Sequence, residues 1–484
     1  MDQQTWAEDW AGRTLAPPVR NRALVIDLEG ALLRSGLLMQ AVFDNPGRLF
    51  ACLRGAMWRG IEAVEQVLDA ADIDYAHLPY ETDVLNLSLT ARAQGRAIYI
   101  AAGRFPDHAA AIATHLGFDG IVDVADVPAG DLATESGASA SLFDGGHFEY
   151  VGDGRSPEGV WRAASAAYVV GGSDSLLGRL KALNPSLKRI GRRDVTWLTW
   201  LNALRVYQYA KNTLVFVPAL TSHQMNMPAL GSAFLAFLAF SACASSAYLV
   251  NDLFDLADDR RHPTKRYRAI ASGDLPISLA LVAIPALWVI SAIAGLCISG
   301  TFFLVLSAYL ITTIAYSLYL KKNMLVDIVT LAGLYTVRIV GGAVAISVHL
   351  SEWLLIFSLF IFTSLALIKR YGELMMRQES DLQNPANRDY KISDLPVIAA
   401  LAAASGMNAI TVFSLYASSP TVAQMYSRPW MLWLLNPLLL YWIGRALMMA
   451  HRQAMLDDPI IYTFTDRVSR ATVAAMMCIV LAAI

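Results

Sequence analysis

Apolar residues are distributed unevenly along the chain, and the apolar runs predict its architecture. Before about Trp197, no run reaches the roughly 18 uncharged residues that a membrane-spanning helix needs. After it, nine apolar runs each approach the ~20 residues that cross a bilayer. Their approximate bounds are 197–218, 231–250, 277–297, 300–319, 324–347, 353–369, 395–417, 429–450 and 471–484. The pattern predicts an all-α polytopic bundle of about nine transmembrane helices behind a separate N-terminal region.

The composition agrees with a membrane protein. Of the 484 residues, 56% are hydrophobic and 16% are charged, which is far from the balance of a soluble domain. A net charge of −2 gives no indication of nucleic-acid binding. The four cysteines, Cys52, Cys243, Cys297 and Cys478, have neither a paired nor a metal-ligand spacing. We interpret them as small core or lipid-facing residues.

Charge also predicts an orientation. The N-terminus, MDQQTWAEDW, is acidic where a signal peptide would be basic and then apolar, so we expect this region to be cytoplasmic. With nine spans, the connections on the opposite side contain one basic residue, Arg428. The connections on the cytoplasmic side contain Arg260, Arg261, Lys265, Arg266, Arg268, Lys321, Lys322, Lys369, Arg370, Arg377, Arg388, Lys391, Arg452, Arg467 and Arg470. This asymmetry is typical of multi-pass membrane proteins.

Carboxylates are concentrated at the end of the second apolar run, in 251-NDLFDLADDRRHPTKRYRAIASG-273. If the helix continues past Asn251, then Asn251, Asp255 and Asp259 line one face, with Asp252 beside them and Asp258 slightly off register. Converging carboxylates repel one another unless a cation lies between them. Hard oxygen ligands favour magnesium or calcium over zinc.

Basic side chains follow this group at once, and magnesium is commonly completed by substrate phosphates. His262, Lys265, Arg266 and Arg268 would donate hydrogen bonds to the phosphate oxygens that the metal leaves uncovered. An ordinary charged loop at the membrane surface is the alternative. Carboxylates placed ahead of the basic residues favour a site for a metal and substrate phosphates, because membrane orientation requires basic residues alone.

Two further groups of polar residues interrupt apolar runs. In 316-YSLYLKKNMLVDIVTLAGLYTVRIVGG-342, Asp327 and Arg338 are three helical turns apart and share a face. A structural ion pair with other helices and a substrate contact are equally consistent with this spacing. In 202-NALRVYQYAKNTLVF-216, Arg205, Gln208, Lys211 and Asn212 form a polar stripe that is typical of a lined cavity.

On these residues the chain resembles the UbiA superfamily of integral-membrane prenyltransferases. NDLFDLADD matches the first aspartate motif of that family and selects Asp252, Asp255 and Asp259 rather than Asp258. The second cluster occupies the place of the second motif, with Asp327 and a preceding Lys321 where many aromatic prenyltransferases have two aspartates. Together with HPTKRYRAIASG and YQYAKN, this departure is more similar to the branch that contains decaprenyl-phosphate phosphoribosyltransferase.

The resemblance implies a helical bundle with a central cavity in a bacterial-type inner membrane. It implies that Mg2+ binds to Asp252, Asp255 and Asp259, and that Lys321 and Asp327 also act in catalysis. The residues that it implies for substrate binding are Arg205, Lys211, Asn212, Asn251, His262, Lys265, Arg266, Arg268, Tyr316 and Arg338. The implied partners are the bilayer, a polyprenyl lipid and a diphosphate-bearing donor.

Two reactions fit this resemblance. One transfers a 5-phosphoribosyl group from phosphoribosyl pyrophosphate to a polyprenyl phosphate, and the alternative transfers a prenyl group from a polyprenyl diphosphate to an aromatic acceptor. Charge builds on a departing diphosphate in both, so neither needs a protein nucleophile. A transporter would need broken helices at mid-membrane, and the sequence shows no convincing example of them.

The N-terminal region resembles haloacid dehalogenase-like phosphatases. In 22-RALVIDLEGALLRSG-36 an apolar strand leads into Asp27, but Glu29 stands where the second aspartate is expected. Alanines occupy 101–102 in place of a serine or threonine, no lysine precedes Lys181, and Asp153 remains in 150-YVGDGRS-156. The resemblance implies an α/β fold with a parallel sheet over residues 1–170 and a degenerate phosphatase site. A phosphatase tethered to a membrane anchor is therefore disfavoured.

Between the two halves, residues 171–196 begin with flexible residues and become basic. Lys181, Lys188, Arg189, Arg192 and Arg193 suit contact with anionic headgroups, so we predict a linker that lies at the membrane surface ahead of the transferase domain, 197–484. The late connections 369–394 and 457–470 are candidate lids over the site.

Overall fold

The computed structural model describes residues 22–44, 73–124, 148–191, 195–379, 388–455 and 458–484. The acidic N-terminus, Cys52, Arg192 and Arg193 lie outside these residues. The chain divides into two compact units. Unit 1 comprises Met1–Ala203 and Asp252–Leu281, and unit 2 comprises Leu204–Asn251 and Val282–Ile484. The segment 252–281, which follows the second apolar run, therefore belongs with the N-terminal region.

Unit 1 is built on a six-stranded parallel sheet with the order β3-β2-β1-β4-β5-β6. The strands are β1 (Ala23–Asp27), β2 (Ile98–Ala101), β3 (Gly120–Val122), β4 (Phe148–Gly152), β5 (Ala166–Val170) and β6 (Lys188–Ile190). Leu24 and Ile26 pack into one hydrophobic cluster and Val25 packs into another. Because neighbouring side chains point to opposite faces, β1 is buried on both faces, as a central parallel strand must be. The predicted α/β region with a parallel sheet is confirmed.

Helices connect these strands and cover the sheet. They are α1 (Leu37–Asp44), α2 (Thr82–Ala93), α3 (Pro106–Leu116), α4 (Glu158–Ala163) and α5 (Asp174–Leu183). In a parallel sheet the carboxyl ends of the strands meet at one edge. Asp27, Ala102 and Asp153 accordingly all lie at that edge, at or just after the ends of β1, β2 and β4.

The segment 171–196 differs from the predicted linker. Residues 174–190 form α5 and β6, and β6 pairs with β5 through Tyr168 and Lys188. Leu180 and Leu187 are buried in the core, while Lys188 and Arg189 are exposed. The buried leucines hold this basic stretch against the sheet, because burying them lowers the free energy while the charged neighbours stay exposed to solvent.

Unit 1 also contains the aspartate-motif segment, residues 252–275. Helix α6 (Trp197–Ala203) precedes the segment in the chain, and α8 (Met227–Phe254) leads into it, after the short helix α7 (Val217–Thr221). Within the segment lie α9 (Leu256–Arg261) and a 3-10 turn, Lys265–Tyr267. Leu256, Ile270 and Leu275 are buried and anchor the segment in a folded environment.

Seven described helices are long and apolar enough to cross a membrane. These spans are Met227–Phe254, Ile277–Ile298, Gly300–Leu318, Val326–Ala345, Glu352–Glu379, Ile392–Ala417 and Pro429–His451. The predicted number of nine spans is therefore wrong. The assignment of the connections to the two sides of the membrane assumed nine spans, so it no longer holds. The prediction of a multi-pass helical membrane domain is confirmed.

The two runs that do not form such helices fail for different reasons. Run 197–218 is broken after Ala203, where Arg205 adopts a left-handed conformation with φ 51°, and continues as the 3-10 helix Val206–Phe216. Its polar stripe interrupts a span that hydropathy alone treats as continuous. Run 471–484 lies in α18 (Arg467–Ala483), a helix of 17 residues whose first turn contains Arg467 and Arg470.

The helices of unit 2 are α10 (Ile277–Ile298), whose first residues belong to unit 1, then α11 (Gly300–Leu318), α12 (Val326–Ala345), α13 (Glu352–Glu379), α14 (Leu395–Ala417), α15 (Pro420–Met425), α16 (Leu435–His451), α17 (Pro459–Thr465) and α18. Helix α12 packs closely on the 3-10 helix Val206–Phe216. A Cβ atom added at Gly342 would lie 2.1 Å from the carbonyl oxygen of Val215, so glycine is required at this contact. The close approach brings the polar stripe of the broken run beside Arg338.

Candidate active site

Asp252 and Asp259 share one arginine in the aspartate-motif segment. Arg268 Nη1 lies 2.5 Å from Asp259 Oδ2 and 3.3 Å from Asp252 Oδ1, and both carboxylates are buried. Asp259 Oδ1 is also buried and has no hydrogen-bond partner among the described residues. Burial raises the pKa of Asp259 to about 6, although Arg268 opposes the shift. Arg268 carries one positive charge, whereas the two buried carboxylates carry two negative charges when both are ionised.

Asp255 occupies a different position from the one predicted. Helix α8 ends at Phe254 and α9 begins at Leu256, so Asp255 forms a one-residue break between them. The Asp259 backbone amide donates a 2.8 Å hydrogen bond to the Asp255 backbone carbonyl, which links Asp255 to the first turn of α9. The carboxylates of Asp252 and Asp259 lie within 4 Å of Arg268, and Asp255 also acts on Arg268 electrostatically.

The donor atoms of this pair fit a magnesium ion. Magnesium is commonly held by one or two carboxylates and completed by water and substrate phosphates. Asp252 and Asp259 supply two carboxylates, and the Oδ1 atom of Asp259 is an available buried acceptor. Among the described residues no group of three His, Cys, Asp or Glu side chains is placed to hold a metal, and the three-aspartate site stays a prediction. In this structure Arg268 provides the positive charge.

The other predicted residues of the segment are dispersed. His262 Nδ1 lies 3.3 Å from the Thr264 amide and 3.4 Å from the Lys265 amide, so it stabilises the local turn. The Arg266 guanidinium stacks over the Tyr267 ring at 5.0 Å. Lys265 is exposed, and Asn251 is half-buried in the last turn of α8. Arg268 is the predicted residue that joins Asp252 to Asp259, through contacts with both carboxylates.

Asp327 is fully buried in unit 2. The sequence predicts that it shares a helix face with Arg338, and its closest partners are other residues. Its Oδ2 atom lies 2.7 Å from Arg370 Nη2 and 3.3 Å from Arg388 Nη1, and its Oδ1 atom accepts a 2.5 Å hydrogen bond from the Tyr390 hydroxyl. Arg370 also contacts Glu373. Asp327 therefore joins α12 to α13 and to residues 388–390, an arrangement that suits a structural ion pair as well as a catalytic role.

Arg338 is held by neutral groups in the described bundle. Its Nε atom donates to Asn212 Oδ1 at 2.7 Å, and Nη2 donates to the Tyr309 hydroxyl at 2.8 Å. Nη1 donates to the Leu334 carbonyl at 2.5 Å. Asn212 in turn donates to Ser241 Oγ at 3.0 Å, which fixes its amide orientation. Arg338 is 4% exposed, so its charge is enclosed within the helices.

A second buried network, which the sequence reasoning did not identify as a site, surrounds Asp458. Asp458 Oδ2 accepts from Lys211 Nζ at 2.9 Å and from the Tyr335 hydroxyl at 2.8 Å, and it lies 3.4 Å from Lys369 Nζ. Burial opposes ionisation of Asp458, but Lys211 and Lys369 hold its pKa well below the usual range. Asp458 lies in the predicted lid stretch 457–470, and the adjacent pair Asp457–Asp458 between apolar residues was the available signal.

Lys211, Lys369 and Arg338 carry three positive charges near the single carboxylate of Asp458. Arg338 is 5.7 Å from the Tyr335 ring centroid, and Lys211 is also 5.7 Å from that centroid, so these cations surround one aromatic ring. Glu373 also interacts with Lys369, and within the described network the three cations outnumber the two carboxylates. Buried cations in a membrane bundle need anionic partners, and this excess can accommodate a bound anion.

The remaining predicted residues lie at the margins of these networks. Arg205 stacks over the Tyr248 ring at 5.1 Å. Tyr316 is half-buried near the end of α11, and Lys321 is half-buried in the 3-10 turn Leu320–Lys322. The structure places Tyr316 and Lys321 in the stretch that leads to Asp327, as the sequence order requires.

The predicted phosphatase residues meet at the edge of the sheet in unit 1. Asp27 Oδ2 accepts from Ser156 Oγ at 2.8 Å and from the Tyr150 hydroxyl at 3.2 Å, and burial raises the pKa of Asp27 to about 6. Glu29 Oε1 accepts from the Leu37 amide at 2.9 Å and so caps α1. Asp153 pairs with Arg155, its near neighbour in the chain. The haloacid dehalogenase-like identity of this region stays a prediction.

The chain combines a polytopic helical bundle that contains a buried cationic network with an aspartate-motif segment. The model of the UbiA prenyltransferase family matches residues 213–465, and the chain belongs to that family. The matched range includes the aspartate-motif segment, Asp327, Lys369 and Asp458.

Three relatives extend this finding. Protein y4nM of Sinorhizobium fredii is 31% identical over 462 residues, 93% of this chain and 89% of that protein. Nodulation protein NoeC of Azorhizobium caulinodans is 32% identical over 275 residues, 56% of this chain and 89% of that protein. Decaprenyl-phosphate phosphoribosyltransferase of Mycobacterium tuberculosis is 34% identical over 185 residues, 37% of this chain and 61% of that protein.

Among solved structures, the chain is similar to a UbiA homologue from Archaeoglobus fulgidus bound to GPP and Mg2+, with 14% identity and a TM-score of 0.46 over 58% of this chain and 99% of that chain. It is also similar to a structure of digeranylgeranylglyceryl phosphate synthase, with 14% identity and a TM-score of 0.44 over 59% of this chain and 97% of that chain.

Proposed function

We propose that this protein is a magnesium-dependent membrane transferase that moves a group from a diphosphate-bearing donor to a polyprenyl lipid. The reaction that we propose is 5-phosphoribosyl transfer from phosphoribosyl pyrophosphate to a polyprenyl phosphate. The observation that carries the proposal is the buried Asp252–Asp259 pair on Arg268, with an unpartnered Asp259 oxygen among the described residues. Membership of the UbiA family and the identity to decaprenyl-phosphate phosphoribosyltransferase support it.

In this reaction the bond between ribosyl C1 and the pyrophosphate oxygen breaks, and a bond from C1 to a phosphate oxygen of the lipid forms. Pyrophosphate leaves with the bonding electron pair. Magnesium, when bound by Asp252 and Asp259, would neutralise charge on the departing pyrophosphate. Arg268, released from the two carboxylates, would then donate to phosphate oxygens, and exposed Lys265 would add a further donor. No protein nucleophile takes part.

The cations of unit 2 support a phosphorylated lipid as acceptor. Lys211, Lys369 and Arg338 outnumber the carboxylates of Asp458 and Glu373 in the described network. A phosphate monoester carries roughly −1.5 to −2 charges near neutral pH, and such an anion would be attracted to these cations. We propose that Asp458 holds the lysines in place until the lipid phosphate binds. Asp327, with Lys321 before it, would order the adjoining helix ends through Arg370, Arg388 and Tyr390.

A direct assay separates this reaction from prenyl transfer to an aromatic acceptor, which the family name equally allows. The full chain in lipid nanodiscs with magnesium would receive labelled phosphoribosyl pyrophosphate plus polyprenyl phosphate, or polyprenyl diphosphate plus aromatic acids. We expect a labelled lipid from the first mixture alone, and its loss with a chelator. Product from the second mixture alone would replace the proposed reaction with prenyl transfer, and product from neither would remove both.

A further inference from the structure

The N-terminal α/β domain and the aspartate-motif segment are parts of one compact unit. The domain and the segment contact each other through polar side chains that belong neither to the strands of the sheet nor to the Asp252–Asp259 pair. Three of these contacts come from different parts of the domain, at Gln40 on α1, at Arg34 before α1, and at Asp74. They meet the segment on both sides of Arg268.

The most deeply buried of these contacts joins Gln40 to Arg260. Arg260 directly follows Asp259 on α9, is 6% exposed, and donates from Nη1 to Gln40 Oε1 at 2.5 Å. Gln40 is fully buried, and its own amide nitrogen donates to Ser35 Oγ at 2.5 Å, which orients its oxygen towards Arg260. Arg260 Nε also donates to the Ala271 carbonyl at 3.2 Å, so this guanidinium ties α9 to the far end of the segment. A buried guanidinium is costly without acceptors.

Arg34 forms a second contact, which bridges the domain and the segment. It makes a bidentate pair with Glu81, at 3.2 Å from Nε and 3.1 Å from Nη2, and its Nη1 atom lies 2.9 Å from Asp274 Oδ1. Bidentate pairing fixes the plane of the guanidinium, so the remaining donor points in one direction. The backbones approach closely here, since a Cβ atom added at Gly273 would lie 2.7 Å from Arg34 Cβ.

A third contact is at the surface. Arg261 Nε lies 2.9 Å from Asp74 Oδ2, and the same oxygen lies 3.0 Å from His77 Nδ1. Exposed pairs such as this contribute little alone. Together with the other two, it means that both residues after Asp259, Arg260 and Arg261, are held by side chains of the N-terminal domain.

We propose that the N-terminal α/β domain positions the aspartate-motif segment, and that Gln40 and Arg34 are positioning residues for Asp259 and Arg268. The domain then sets the affinity of the transferase for its metal-bound diphosphate donor without supplying a reacting group. This inference rests on the proposed function for its kinetic consequence, whereas its structural consequence is independent of any substrate.

A matched pair at Gln40 tests the proposal in the full chain in nanodiscs. Gln40→Leu removes the acceptor for Arg260 at similar size, and Gln40→Glu keeps it. Amide hydrogen exchange of peptides covering 256–275 is the first measurement. We expect exchange about fivefold faster or more in Gln40→Leu, since a lost buried hydrogen bond shifts local opening by roughly that factor, and near-normal exchange in Gln40→Glu. Arg92→Gln, which breaks the Arg92–Asp119 pair within the same domain, is the control and should leave these peptides unchanged.

The kinetic measurement separates positioning from general damage. Gln40→Leu should raise KM for the donor and the magnesium concentration for half-maximal rate by about fivefold or more, with kcat changed less than about twofold. Asp274→Asn provides a variant on the segment itself, and Asp274 is exposed enough that its change should not unfold the domain. It should shift donor KM in the same direction.

The outcomes are distinct. Unchanged exchange at 256–275 in both Gln40→Leu and Asp274→Asn would overturn the positioning role, whether or not the protein transfers phosphoribosyl groups. Faster exchange together with an absence of transfer in the unmodified protein would support the contact and reject the proposed reaction. Faster exchange with donor KM unchanged in an active enzyme would also overturn the inference, because the contact would then be structural.

Discussion

The Lys211 ammonium lies 2.9 Å from Asp458 Oδ2, although 247 positions separate the two residues. Lys211 comes from the broken first run, and Asp458 precedes the short helix α17. The pair therefore joins the two ends of the membrane domain. Lys369 and Tyr335 complete the set of donors to the same oxygen. We infer that the carboxylate keeps two lysines at a fixed separation in an environment where each alone would be costly.

Removing the Asp458 carboxylate should destabilise unit 2 and abolish transfer. Asp458→Asn leaves Lys211 and Lys369 without a counter-charge, and breaking a buried pair in this way costs about 3–5 kcal/mol. Thermal unfolding in detergent measures the change. Asp466→Asn, which removes the partly exposed partner of Arg445, is the control and should cost about 1 kcal/mol or less. Equal losses in the two variants would argue against a special role for Asp458.

Asp259 and its neighbour Asp258 should differ sharply. Asp259 is buried beside Arg268, whereas Asp258 is exposed on the same helix. Asp259→Asn should reduce transfer by about 100-fold or more through loss of an oxygen ligand, and it should raise the magnesium requirement. Asp258→Asn should retain activity within about twofold, because it removes an exposed charge. Magnesium titration of initial rates decides this, and full activity of Asp259→Asn would reject the metal site.

Lys369 should act on the lipid acceptor. Lys369→Met removes one of the two charges that we assign to the phosphate of the polyprenyl phosphate, and KM for that lipid should rise about tenfold. KM for phosphoribosyl pyrophosphate should stay within about twofold. Lys322→Met, at an exposed lysine, is the control and should change neither constant. A rise in donor KM with acceptor KM unchanged would exchange the assigned roles.

Asp27 should make the stability of unit 1 depend on pH. Burial raises the pKa of Asp27 from 3.8 to about 6, so folding takes up a proton between these values. The folded state disfavours the ionised form of Asp27, so above pH 6 this group lowers the free energy of unfolding. That loss becomes smaller as the pH falls from 6 towards 4. Asp27→Asn should therefore stabilise the domain at pH 7.5 by about 1–3 kcal/mol, and the gain should shrink at pH 4.5. Hydrogen exchange of β1 in the full chain at both pH values measures this difference.

The same variant tests for phosphatase activity. Glu29 is engaged in capping α1 and alanines occupy 101–102, so we predict that these positions do not activate or anchor a phosphate. We expect the full chain with magnesium to hydrolyse a panel of phosphate monoesters no faster than the Asp27→Asn variant. Turnover that disappears on substitution would establish a second enzyme in the N-terminal domain.

Local patterns in the sequence were sufficient for the main elements. Apolar runs of membrane length predict spanning helices because side chains in the hydrocarbon core must be apolar and backbone polar groups must be hydrogen-bonded within the helix. The strand leading into Asp27 is buried on both faces, which its unbroken apolar run indicates. NDLFDLADD and the basic residues after it are close in the chain, so the sequence alone was sufficient to predict a site there. The break at Arg205 was not evident, since hydropathy averages over the polar stripe and carries no information on backbone conformation.

What the sequence determined by itself was therefore the two-part architecture, the membrane helices and the aspartate motif, all of which depend on residues near one another in the chain. The tertiary structure alone decided which charges meet. Arg268 joins Asp252 and Asp259, Asp327 pairs with Arg370, and Arg260 contacts Gln40 at a separation of 220 positions. A buried charge must have a partner, but its spacing in the sequence does not specify one, because packing brings distant side chains to the same place.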